Sequence, residues 1–182
     1  MKTALIIYFS NTGNTEKAAQ AIKIGLEEAG VQVTMKKPQE AVGLDYFNYD
    51  LVCVGSPSIE WHPASPICDL LKKNLAAHRK EGKIKLGAPK VLGKNALIFI
   101  TYSGPHTGLS EAIPAGKYIG QFFEHLGFNI VGEWYILSQF NVSHPTMENA
   151  NTKGRMGDIR GKPNAEDLQN IKQDAKALAS KI

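Results

Sequence analysis

The residues best placed to do chemistry form one short run, Ser10-Asn11-Thr12-Gly13-Asn14-Thr15. It sits between an apolar strand-like segment and a helix-like one. Hydroxyl and amide side chains at successive positions can direct several hydrogen bonds at a single anion. Gly13 allows close backbone approach, and the N–H groups of a helix's first turn point at the same spot with a partial positive charge. No Lys or Arg is needed for that task. The run is not G-x-x-x-x-G-K-[ST], and the chain lacks G-x-G-x-x-G, so neither the triphosphate loop nor the dinucleotide fingerprint applies. A monophosphate is the anion that such a cradle suits. Capping a helix would take one such residue rather than five.

The surrounding pattern supplies elements to position this turn. Lys2–Phe9 is a nearly continuous apolar run, as expected of a central parallel strand buried on both faces. Thr15–Ala29 reads as a helix with Ala18, Ala19, Ile22, Leu26 and Ala29 on one stripe and Gly30 as its stop. Strands follow at Val31–Lys36, Leu51–Gly55, Ala96–Thr101 and Phe128–Leu137. Helices are expected over Pro66–His78, Ala115–Leu126 and Asn164–Lys181.

This alternation predicts an α/β fold with a doubly wound, five-stranded parallel sheet in the order 2-1-3-4-5. The 182 residues suit one domain spanning 1–182, with an irregular segment at 138–163 and a closing helix at 164–181. Ligands in such sheets bind beyond the carboxyl ends of the strands, here after Phe9, Val54 and Thr101. Glu81–Gly93 and Ser138–Pro163 show no periodicity, and the second is longer than an idle loop should be.

Leu5–Ala19 resembles the signature of the flavodoxin-like family: two apolar residues, an aromatic, S/T-x-T-G-x-T, then a small helical residue. The resemblance implies an FMN cofactor whose phosphate is held by the side chains of Ser10, Thr12, Asn14 and Thr15. Asn11 and Gly13 would contribute backbone. It also assigns the flavin ring to two further loops. The first, Gly55–Pro63, offers Ser56, Pro57, Ser58, Ile59 and Trp61, with Trp61 as the natural stacking face. The second, from Thr101 to Gly108, offers Thr101, Tyr102, Ser103 and Gly104, with glycine backbone at the ring edge. Glu60, His62 and His106 are the candidate proton donors, and no catalytic residue is otherwise assigned. None of Thr101–Gly108 is acidic, unlike the acidic loop common in carrier flavodoxins. A rim without carboxylates penalises a negatively charged ring less, so a less negative potential is expected.

Composition bounds the alternatives. Cys53 and Cys68 make neither a C-x-x-C nor a disulfide framework, so no metal or iron–sulfur site is expected. No signal segment or membrane span is visible, which makes the cytoplasm the default expectation. The net charge of +4 is regional: Lys72–Lys94 carries +7, the tail from Asn151 carries +3, and the remainder −6. That gives little support for a nucleic-acid partner. The lysine-rich stretch reads as a solvated face or as a docking site for an acidic partner.

Three functions follow. The first is an FMN-dependent oxidoreductase taking electrons from NAD(P)H to a quinone or other small acceptor. The second is a carrier passing electrons between redox partner proteins. The third is a flavin-free binding module. A homo-oligomer fits the first, with 138–163 as an interface or substrate wall.

Overall fold

The computed structural model describes residues 1–141, 147 and 149–182. Five parallel strands make the sheet: β1 (Thr3–Tyr8), β2 (Gln32–Lys36), β3 (Leu51–Ile59), β5 (Asn95–Tyr102) and β6 (Asn129–Leu137). Their order is β2-β1-β3-β5-β6, which is the expected 2-1-3-4-5 sequence of parallel strands. A sixth strand, β4 (His62–Pro63), folds back antiparallel on the end of β3, pairing Ile59 with His62. The sequence reading stopped the third strand at Gly55. It runs instead to Ile59, because Ser56 and Pro57 pair with Ile100 and Thr101 of β5 while Ser58 and Ile59 pair with β4 in the hairpin.

Two cores form on the two faces of the sheet, since alternate strand residues point opposite ways. Leu5 and Ile7 of β1, with Val52, Val54, Ile98 and Ile100, pack beneath α2 (Ser65–Lys80) and α3 (Ile113–His125). Ala4, Ile6 and Tyr8, with Cys53, Leu97 and Phe99, pack beneath α1 (Asn14–Glu28) and α5 (Ala165–Leu178). Both faces being covered explains why the strands read as unbroken apolar runs. Gly25 permits the close crossing of α1 and α5, where a Cβ would lie 2.2 Å from the Lys172 carbonyl oxygen. A capping box at Asn164 and Asp167 starts α5.

The 138–163 segment is only partly irregular. It holds a short helix, α4 (Ala150–Lys153), which the sequence reading missed. Residues 142–146 and 148 of that segment lie outside the described residues. In the lysine-rich stretch, Lys83 is paired with Asp45 and Glu81 at 2.8 Å each. Lys90 and Lys94 donate to the carbonyls of Phe128 and Tyr49.

Candidate functional site

At the carboxyl ends of the strands lies a cavity of about 110 Å3. The loop after β1 lines it through Asn11, Thr12, Asn14 and Thr15. The end of β3 adds Pro57, Ser58 and Ile59, and β5 with its loop adds Thr101, Tyr102 and Ser103. These are three loops that the sequence singled out. A fourth wall, Ser138–Asn141 after β6, comes from the 138–163 segment offered as an interface or substrate wall, with none of its residues singled out from the sequence.

Gly13 makes the cradle geometry possible. Its φ of +94° is reached without strain only by glycine, and a Cβ there would point into open space. It is the N-cap of α1, with no side-chain cap on the helix. The N–H groups of the first turn therefore have no intrahelical acceptor and are available to an anion. The Gly13 N–H donates to Ser10 Oγ at 3.1 Å, which leaves the serine hydroxyl proton free to donate elsewhere. Thr15 is buried, and its hydroxyl shares a 2.7 Å hydrogen bond with that of Thr101. The Asn14 side-chain amide donates to the Gln139 carbonyl at 3.0 Å, joining first and fourth walls.

The electrostatics favour an anion by omission of charge. Among the described residues no acidic or basic side chain lines the cavity. Glu16, in the first turn of α1, is the nearest carboxylate in sequence, and it is committed elsewhere. It accepts hydrogen bonds from the Tyr8 hydroxyl and from Lys37 Nζ, the latter at 3.0 Å. The Tyr8 bond and then Lys37 hold its carboxyl below the usual range. The Lys37 ammonium also sits 3.8 Å above the Tyr8 ring centroid.

The ring-facing candidates divide. Tyr102 is buried at the cavity wall, and burial pushes its phenol upward. Trp61 does not line the cavity. It stands 58% exposed at the hairpin tip, where Glu60 (φ 47°) and Trp61 (φ 65°) make the tight turn between β3 and β4. Ser56 is fully buried, and its hydroxyl serves the scaffold by donating to the Pro57 carbonyl and accepting from the Ala64 N–H. Gly104, φ +56°, closes the third loop so tightly that a Cβ would lie 2.6 Å from the Gly108 carbonyl oxygen. Glu60, His62 and His106 are exposed and outside the cavity lining. A carboxylate does support the third loop: Glu111 accepts from the His106 and Thr107 N–H groups. It lies beyond the window that the sequence reading judged free of acid.

Neutral donors, an open helix N-terminus and a glycine at positive φ fit a phosphate monoester. The polar-to-aromatic cavity beside them fits a flat heterocycle. Among the described residues no cluster of His, Cys, Asp and Glu could hold a metal ion, and no helix is long and apolar enough to cross a membrane.

Comparison with known proteins agrees with this architecture. A sequence model of the flavodoxin domain matches residues 5–81. An uncharacterized protein of Methanocaldococcus jannaschii is 29% identical over 142 residues, which is 76% of this chain and 32% of that protein. The chain thus spans about a third of the length of that curated relative. Among solved structures, a flavodoxin from the domain Archaea has 20% identity and a TM-score of 0.62, with 98% of this chain and 97% of that one covered. The flavodoxin of Streptococcus pneumonia TIGR4 has 18% identity and a TM-score of 0.64, covering 99% of each. Signature turn, strand order and these likenesses together give the chain a flavodoxin-like fold, with the match to the flavodoxin domain model confined to residues 5–81.

Proposed function

We propose that this chain binds FMN in the four-walled cavity and uses it to move electrons. The observation that carries the reading is the uncharged donor set at the N-terminus of α1, continuous with a cavity walled by Tyr102 and Phe140. Ser10, Thr12, Asn14, Thr15 and the first-turn N–H groups would hold the phosphate. Pro57, Ser58 and Ile59 would flank the ring with Ser103 and Gly104, and Trp61 would cover it from the hairpin. FMN supplies a ring that accepts and releases electrons, and the protein fixes its position and surroundings.

Within that reading we assign an NAD(P)H-dependent reduction of a quinone or other small acceptor. Two electrons and one proton leave the nicotinamide, and the quinone gains two electrons and two protons, the second from solvent. Supporting it are the uncharged lining among the described residues and the added wall after β6, which shapes a pocket for a small molecule. None of the three candidate proton donors lines the cavity, so solvent is the proton source in this scheme. A second reading, a carrier serving redox partner proteins, is favoured by the end-to-end match with flavodoxins of similar length.

The deciding experiment is anaerobic. The protein is loaded with FMN and NADH or NADPH is added while the flavin absorbance is followed. Rapid bleaching supports the oxidoreductase. Bleaching only after a partner reductase is supplied supports the carrier. Failure to take up FMN overturns both.

A further inference from the structure

The segment after the fourth wall does a specific job. Asn151, on α4, grips the backbone of Phe140 from both sides. The Phe140 N–H donates to Asn151 Oδ1 at 2.6 Å, and Asn151 Nδ2 donates to the Phe140 carbonyl at 2.8 Å. This pairing also fixes which way the amide faces, since each end has one compatible partner. The neighbouring Gln139 is held the same way from further along the chain. Its N–H donates to the Lys162 carbonyl at 2.9 Å, and its Oε1 accepts from the Gly161 N–H at 2.6 Å.

The segment is itself anchored. Buried Ile159 donates its N–H to the Asn151 carbonyl at 2.9 Å. The Arg155 N–H donates to the Pro105 carbonyl at 2.8 Å, and Gly154 packs against Pro105 so closely that a Cβ would lie 3.0 Å from its Cα. One stretch therefore ties the third loop, at Pro105, to the fourth wall, at Gln139 and Phe140. Through Asn14 and Gln139 the tie extends to the phosphate cradle.

We infer that residues 149–163 are a built-in brace for the flavin pocket. Asn151 is its positioning residue: it lines no part of the cavity yet holds Phe140 as a fixed wall of it. The inference rests on the FMN reading and adds to it an assigned role for a segment with no periodic pattern. Because Asn151 already satisfies the Phe140 backbone, Phe140 offers a ligand its aromatic ring rather than its peptide groups. A backbone held before binding spares the ligand the entropy of ordering the chain that carries this ring.

The test compares the unsubstituted chain with Asn151→Ala and Phe140→Ala. FMN affinity is titrated, the visible circular dichroism of the bound flavin is recorded, and exchange of the Phe140 amide is followed without flavin. Leaving partly buried groups of Phe140 unpartnered should weaken FMN binding roughly tenfold in Asn151→Ala. The flavin dichroism should change, and the Phe140 amide should exchange faster. Unchanged affinity and dichroism beside a lowered melting temperature would make Asn151 purely structural and overturn the inference. If Asn151→Ala does not fold, Phe140→Ala decides with the clamp intact, and an unmoved affinity and dichroism overturn it again. Absence of FMN binding in the unsubstituted chain is a separate outcome, overturning the underlying reading and this one with it.

Discussion

Thr15, in the first turn of α1, and Thr101, near the end of β5, share a 2.7 Å hydrogen bond between buried hydroxyls. That bond sets the helix N-terminus against the sheet where both line the cavity. Thr15→Val keeps the shape and leaves the Thr101 hydroxyl without its partner, so a loss of about 1–3 kcal/mol is expected in chemical unfolding. Thr15→Ser should lose far less. The double change Thr15→Val with Thr101→Val should recover part of the loss, because no buried hydroxyl is then stranded. Equal unfolding midpoints for wild type and Thr15→Val would show that the pair does nothing for the fold.

Gly13→Ala should weaken anion binding without any steric clash. Nothing lies within 4 Å of the added Cβ, but φ of +94° is strained for an L-residue, at a cost of about 1–2 kcal/mol. Relief of that strain would turn the first-turn N–H groups away from the anion. Gly13→Asn, whose side chain tolerates the left-handed region better, should bind more tightly than Gly13→Ala. Isothermal titration with FMN and with inorganic phosphate measures the order of the three proteins.

Much of this architecture was legible in the sequence, and the parts that were not share a cause. Apolar runs such as Ala4–Ile7 and Ala96–Ile100 announced buried parallel strands because both sheet faces are covered. The turn at Ser10–Thr15 announced itself by residue type. The β3–β4 hairpin did not, since its tight turn is made by Glu60 and Trp61, two residues that rarely take positive φ. Trp61, which the resemblance assigns to the ring's stacking face, stands at that turn 58% exposed and outside the cavity lining, and residue type alone does not reveal that placement. The 138–163 segment could be offered as a wall, but which of its residues form it was hidden for a different reason. Phe140 and Gln139 are placed by Asn151, Gly161 and Lys162, contacts that reach 11 to 23 residues along the chain and leave no local period.

Asn74 offers a control away from the site. It is 1% exposed on α2, accepts from the Gly43 N–H at 2.9 Å, and has Ala41 O at 3.1 Å and Tyr46 Oη at 2.6 Å from its Nδ2. Asn74→Leu removes all three contacts at once, and a loss of about 3 kcal/mol is expected. None of these partners lines the cavity. FMN affinity per folded molecule should therefore stay within twofold, in contrast to Asn151→Ala. A matching loss of affinity would mean that flavin binding simply follows global stability.

His78 makes the stability of the fold depend on pH in a definite direction. Its ring is 2% exposed near the end of α2, with centroids 5.6 Å from Tyr46 and 6.0 Å from Phe47. Neither ring nitrogen has a hydrogen-bond partner among the described residues. Glu81 Oε2 stands 3.6 Å from Nδ1, beyond hydrogen-bond reach, and its charge is shared with Lys83, which also pairs with Asp45. Burial, reinforced by Lys83 and opposed by Glu81 and Asp45, holds the imidazole below its ordinary value of 6.5. As pH falls past about 6.5 the unfolded chain takes up this proton before the folded one does, so stability must decline from there to the folded pKa. Urea unfolding at pH 7.5 and pH 5.5 measures that decline. His78→Leu has no such proton to bind, and its stability should fall less over the same interval. If the two proteins lost stability equally, the acid sensitivity would belong to carboxylates elsewhere in the fold.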